Sequence, residues 1–404
     1  MTKLLPLYLA VLACLPGLTL NLAGVHLSPP ATAAIAGAAI LGASFLLLWA
    51  CDVAQADIPQ ALALAVVAFI AVLPEYAVDM YFTWMAGTHP ESNYAHYAIA
   101  NMTGANRLLI GVAWPAIAFL AWWKTRRPVV LDQDRRTEVL FLGMATLYAL
   151  LIPLKGSLAW YDGVALVSLY AWYIRIAAGR PCEECELEGP AAVLGRLPRN
   201  RRRLATLLLF LFAAGVILAN AESFSEGLVA TGRLLGINEF LLVQWLAPIA
   251  SEAPEFIVAI MFTLRGHPGV ALASLLSSKL NQWTLLVGMI PGVYGVAAGS
   301  LTKHIPLDHF QMNELLLTAA QSLLAVALLA GLRLSARGAV LLLALFAAQF
   351  LAPLVPDHWL AGLHVPATGQ ELHALASAAY ALAFLLLLPR RGRQMLALRR
   401  GVRA

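Results

Sequence analysis

Twelve stretches of this chain run for roughly twenty residues with almost no charge, and nothing else in it constrains the fold as strongly. They fall near residues 4–27, 32–51, 58–86, 93–122, 138–154, 158–178, 204–232, 237–265, 269–298, 312–333, 336–354 and 370–389. A helix rises about 1.5 Å per residue, so each run matches the roughly 30 Å hydrocarbon core of a bilayer. The runs are continuous rather than alternating, which excludes a membrane β-barrel. The expected class is therefore all-α and polytopic, with about twelve spans. Composition agrees: 12% of residues are charged, about half the share in soluble domains. The opening "MTKLLPLYLAVLAC" has the look of a signal peptide ending at Cys14, but apolar sequence continues to about residue 27. It is read as the first span.

The net charge of +5 does not point to nucleic acid, because the basic residues are sorted by loop. With twelve alternating spans, one side receives 22 of the 27 Lys and Arg. They include Lys124, Arg126 and Arg127, the Arg196–Arg203 group and the tail from Arg390. The positive-inside rule places that side, and both termini, in the cytoplasm. The expected surroundings are lipid bilayer and inorganic cations, with no nucleic acid. Four cysteines give no disulfide framework. Cys14 and Cys51 sit at spans as small hydrophobes. Cys182 and Cys185, in "RPCEECELEG", read as a solvated acidic turn, with metal or redox sensing as the alternative.

One half of the chain repeats the other. "LPEYAVDMYFTW" (73–84) aligns with "APEFIVAIMFTL" (253–264) at an offset of 180. Each segment then passes a His-Pro, His89-Pro90 or His267-Pro268, and these histidines read as loop residues rather than ligands. "AIANMTGANRLLIG" (98–111) next faces "ALASLLSSKLNQWTLLVG" (271–288), aligned at Asn106 and Lys279. Each repeat holds five spans, and an odd number inverts the second copy. The expected plan is two inverted five-helix repeats with kinked helices at the membrane centre, plus extra terminal helices. Its divisions are an additional N-terminal span (1–31), the first repeat (32–178), a cytoplasmic linker (179–203), the second repeat (204–354) and a last span with a basic tail (355–404).

The paired Pro-Glu segments resemble the α-repeats of the cation/calcium exchanger superfamily, most closely its prokaryotic sodium/calcium branch. That pattern runs Gly-Thr-Ser-Leu-Pro-Glu and then Gly-Asn-x-x-Gly-Ser-Asn. Here "IAVLPE" ends in Glu75, and "AIANMTGAN" keeps Asn101, Gly104 and Asn106. The second copy reads "ASEAPE", ending in Glu255, and then "GHPGVALASLLSSK" with Ser274, Ser277, Ser278 and Lys279. The resemblance implies a secondary cation antiporter working by alternating access in a multi-pass bacterial inner-membrane setting. It moves Ca2+ or a related cation against Na+ or H+, needs no cofactor, and coordinates the ion with Glu75 and Glu255.

Physical chemistry points to the same residues. A carboxylate inside a span is costly and by default marks an ion path. Proline removes a backbone donor and frees a carbonyl, tolerable only where the carbonyl lines protein or a cavity. Carboxylates with carbonyls are the hard oxygen set that calcium and sodium take. Departures from the family pattern matter as well. Glu252 stands where the family has Ser, and Asp79 adds an acid one turn after Glu75. Lys279 replaces an ion-binding Asn, and Arg107 follows Asn106, so both are read as ion-site modulators. If all six groups face one cavity, four acids against two bases leave a charge of −2. Glu222 and Glu226, at i and i+4 in the seventh run, form a second acidic face suited to ion access or gating. The rival classes are a Na+/H+ or other cation/proton exchanger, a cation channel, and a membrane-embedded enzyme. No H-E-x-x-H occurs, and the spans hold one clear aspartate, Asp79, where an aspartyl protease needs two.

Overall fold

A computed structural model describes residues 4–25, 27–55, 57, 72–178, 187, 189–354 and 369–402. Cys182, Cys185 and the first part of the third apolar run lie outside the described residues. The first half contains α1 (Leu5–Ala23), α2 (Pro29–Ala54), α3 (Leu73–Thr88), α4 (Tyr94–Leu108), α5 (Trp114–Thr125) and β1 (Val129–Val130). It continues through α6 (Arg136–Ala149), the single turn α7 (Ile152–Lys155), β2 (Ser157–Leu158), α8 (Trp160–Ala177) and α9 (Gly189–Gly195). The second half contains α10 (Arg199–Leu235), α11 (Glu239–Leu264), α12 (Pro268–Asn281), α13 (Val287–Ala297) and β3 (Ile305–Pro306). α14 (His309–Leu329), β4 (Arg333–Leu334), α15 (Ala336–Leu351) and α16 (Gly369–Ala397) complete it.

Each of the twelve apolar runs contains a helix. Among the described residues, seven helical stretches are long and apolar enough to cross a bilayer alone. Two of the apolar runs carry a break inside the helix. A π turn at Gln282–Leu286 divides α12 from α13, and another at Leu109–Ala113 divides α4 from α5. These turns begin three residues after Lys279 and three after Asn106, so the backbone keeps the register in which the sequence aligns those residues. π turns of this kind cluster at functional sites because they release a carbonyl from the helical ladder.

The later helices keep a second constant offset. β1 pairs antiparallel with β4, and β2 with β3. A shift of 176 carries Val129 to Ile305, Glu138 to Glu314 and Ser157 to Arg333. It also carries Gly156 (φ 65°) to Leu332 (φ 54°), so the second copy holds a leucine in the left-handed turn where the first uses glycine. Each strand therefore pairs with the repeat-equivalent of its own equivalent's partner, as a pseudo-two-fold requires.

The described chain forms two compact units. One comprises residues 1–105, 171–255 and 292–301; the other comprises 106–170, 256–291 and 302–404. Both draw on both sequence repeats. In the first unit, α2 packs along α10 through Ala39, Ala43, Leu46, Leu47, Ala213, Val216, Ile217 and Ala221. At its end, Asp57 accepts two hydrogen bonds from Arg202, at 2.7 and 2.8 Å. These bonds hold the Asp57 carboxyl below the usual carboxylate range. In the second unit, Thr137 donates to the carbonyl of Gly401 at 2.9 Å, tying the tail to the start of α6.

Candidate functional site

The two Pro-Glu segments take different backbones. Pro74 occupies the first turn of α3, where a missing N–H costs nothing, and Glu75 beside it is 2% exposed. α3 thus begins at the motif, and the partial positive charge of its N-terminus falls on a buried carboxylate. α11 instead runs through both Pro248 and Pro254 without a break in helix. Two helical bonds are missing there, because each proline leaves the carbonyl four residues earlier without its helical donor. Pro248 releases the carbonyl of Gln244, and that oxygen lies against Gly104 of α4. A Cβ on Gly104 would sit 1.8 Å from it. The glycine in the motif is therefore what lets α4 cross α11. Pro254 releases the carbonyl of Ala250 in the same way, two residues before Glu252, which is buried, and five before Glu255, which is half-buried.

Asp79 is fully buried one turn along α3 from Glu75, and Asn101 Nδ2 of α4 donates to it at 3.4 Å. Among the described residues, no three or more His, Cys, Asp or Glu gather as a group able to hold a metal ion. The four acids are thus not one ligand cluster, and a cation bound among them needs amide and carbonyl oxygens as well.

The second unit holds the other candidates. Asn106 and Lys279, equivalent in the two repeats, are bonded to each other: Lys279 Nζ donates to Asn106 Oδ1 at 2.6 Å and approaches its carbonyl at 3.4 Å. The same ammonium lies 4.4 Å from the ring centroid of Trp283, and Lys279 is 0% exposed. An amide oxygen, a carbonyl and an aromatic face are all ligands for a cation. Arg107 is also 0% exposed and pairs with Glu314 of α14 at 2.5 Å, while Gln321 donates to the Arg107 carbonyl. The charge count of four acids against two bases therefore omits Glu314, which matches Arg107. Ser278 is buried, Ser277 half-buried and Ser274 exposed.

Sequence reasoning missed Glu314, Gln244 and Gln321. The signal for Glu314 was the offset of 176, which makes it the repeat-equivalent of Glu138. Glu138 instead takes its guanidinium from Arg135, three residues away on its own chain segment. Gln244 had a fainter signal in Pro248, four residues later. Of the second acidic face, Glu222 is exposed, and Glu226 is half-buried and accepts the hydroxyls of Tyr81 and Tyr94. His89 and His267 flank helix ends, and both are exposed.

A model of the sodium/calcium exchanger protein family matches residues 29–179 and again residues 205–355. The crystal structure of the H+/Ca2+ exchanger CAX is similar at 43% identity and a TM-score of 0.91, over 100% of this chain and 98% of that one. Structures of the sodium-calcium exchanger NCX_Mj, soaked with sodium and strontium ions or with sodium alone, match at 19% and 20% identity. Each has a TM-score of 0.51 and covers 84% of this chain and 97% of the other. At that identity they show the fold alone. No curated protein matches the chain. Two copies of one family model, each containing a Pro-Glu helix and a following helix with a π turn, account for the internal repeat, and the chain belongs to the sodium/calcium exchanger family.

Proposed function

We propose that this integral membrane protein is a secondary antiporter that carries Ca2+ in one direction and protons in the other. The observation that carries the reading is its 43% identity, over the whole length, to an H+/Ca2+ exchanger. Glu75 and Glu255 are the central cation ligands, one from each repeat. Glu252, Asp79 and Asn101, which belong to the same unit, supply further oxygens. The carbonyls of Gln244 and Ala250, released by Pro248 and Pro254, extend the hard oxygen set that Ca2+ takes. Lys279 acts as a built-in cation, because its ammonium already occupies the amide oxygen that its repeat-equivalent Asn106 offers. Arg107 is a structural partner to that arrangement, balanced by Glu314. The work done is transport, and no step calls for a cofactor or for enzymatic chemistry.

Both termini face the cytoplasm of a bacterial cell, and the protein sits in the inner membrane. The strand pairs support this alternation. β1 and β4 belong to connections assigned to the cytoplasm, β2 and β3 to connections assigned outside, and pairing joins only connections of the same side. Asp57 and Arg202 likewise share the cytoplasmic side. The central assignment is tested by Glu75→Gln and Glu255→Gln, which keep shape and remove the anion. Each variant is expected to stay folded and lose exchange. Near-normal Ca2+ flux in a folded Glu255→Gln protein refutes it.

A further inference from the structure

We infer that Glu226, Tyr81 and Tyr94 form a latch that shuts the ion path at the end of the first unit farthest from Arg199. Glu226 stands on α10, 27 residues or roughly 40 Å from Arg199. Its Oε1 accepts the Tyr94 hydroxyl at 2.7 Å and the Tyr81 hydroxyl at 2.9 Å. Tyr81 belongs to α3, six residues or roughly 9 Å beyond Glu75; Tyr94 belongs to α4, seven residues or roughly 10 Å before Asn101. One carboxylate therefore fastens α10 to both helices that carry candidate ligands, one to two turns above those ligands. A second fastening lies beside it: Glu239 of α11 accepts Tyr97 of α4 at 2.9 Å and Arg233 of α10 at 2.8 Å.

The two sides of α10 are held by different forces. Against α2 it is close-packed and apolar: a Cβ on Gly227 would lie 2.9 Å from the Ala33 nitrogen, so the two helices interlock there. Against α3 and α4 at this end, the ties include hydroxyl-to-carboxylate bonds at half-buried groups. Water replaces such bonds without leaving a polar atom unsatisfied, which makes them reversible. The phenols are kept in place by buried Phe82, whose ring centroid is 6.4 Å from that of Tyr94 and 5.9 Å from that of Tyr81. Among the described residues, Glu222, exposed one turn earlier on α10, also acts on Tyr81, and Arg233 on Tyr94.

The inference rests on the antiport reading, since alternating access needs a closure at each end, and the test separates the two. In a background with all four cysteines replaced, Ala98→Cys places a thiol on α4 between Tyr94 and Asn101, at a position 1% exposed. Sealed vesicles are treated with a membrane-impermeant thiol reagent from each face in turn, and Ca2+ flux is recorded in the same preparation. Tyr81→Phe/Tyr94→Phe keeps both rings and removes both donors. It is expected to accelerate labelling from the face opposite Arg199 on the order of tenfold. Glu226→Gln keeps an acceptor but loses the charge assistance, and is expected to give a smaller acceleration in the same direction. Unchanged labelling in the double variant, or acceleration from the Arg199 face alone, overturns the latch. Accelerated labelling in a protein that moves no Ca2+ upholds the latch and removes the antiport reading.

Discussion

Gly104→Ala is the substitution whose cost follows most directly from the geometry. The new Cβ would sit 1.8 Å from the Gln244 carbonyl oxygen, where 3.4 Å is the shortest ordinary contact, so α4 and α11 must separate by roughly 1.6 Å. The obstructing atom is backbone, and no rotamer change relieves it. Overpacking of this kind costs about 1–3 kcal/mol, and a backbone clash belongs at the upper end. Alanine returns up to about 1 kcal/mol in helix propensity, leaving a net loss of about 2 kcal/mol. Gly143→Ala on α6 is the control, because it gains the same propensity and meets only Val326 Cγ1 at 3.4 Å. Thermal unfolding of both purified variants in detergent isolates the clash as the difference between them. Gly104→Ala is expected to melt below wild type and Gly143→Ala at or above it. Equal melting of the two variants refutes the claim that Gly104 is required by the crossing at the released carbonyl.

Other outcomes follow from the remaining contacts. Glu314→Gln removes the carboxylate from a buried guanidinium and is expected to cost about 3–5 kcal/mol; Arg107→Met/Glu314→Met recovers much of it, and a double variant as unstable as the single one contradicts the pairing. Lys279→Asn removes the built-in cation and is expected to add sodium dependence or voltage sensitivity to flux, whereas unchanged dependence on both takes Lys279 out of the ion path. Asp57 has a depressed pKa, so its pairing stabilises the fold above the ordinary carboxylate range and the contribution is lost as pH falls through the depressed value. Melting curves of wild type and Asp57→Asn are therefore expected to differ at neutral pH and converge in acid. A cysteine at position 302 is expected to label only from outside and one at 126 only from the cytoplasm; cytoplasmic labelling at 302 rules out the inverted repeats.

The helices were legible because each span must bury its backbone in about twenty apolar residues, and that length shows in any window of the sequence. The repeat was legible because proline, glutamate and asparagine are rare in such company, so Glu75 and Glu255 marked the register without further help. The same rarity placed Asn106 opposite Lys279, and the π turns three residues after each keep that alignment. What stayed hidden depended on distant partners. Nothing local to "HFQMNELLL" says that Glu314 meets an arginine 207 residues earlier. Nothing local to Tyr81 or Tyr94 says that both meet Glu226. The strands were invisible because two residues carry no periodicity, and their pairing reflects how connections meet across the fold. The continuity of α11 through two prolines also ran against local preference, and the carbonyl freed by the first of them packs against Gly104 of α4.

One reconstitution tests proton-coupled Ca2+ exchange most directly. Purified protein in proteoliposomes, with membrane potential clamped, is loaded so that a pH gradient or a sodium gradient is imposed separately, and Ca2+ movement is followed. An imposed proton gradient is expected to drive Ca2+ uphill, with Ca2+ moving the pH in return, and the sodium gradient alone is expected to drive none. Uphill Ca2+ movement that needs sodium and ignores the pH gradient contradicts the account, as does Ca2+ that only ever runs downhill without a counter-ion.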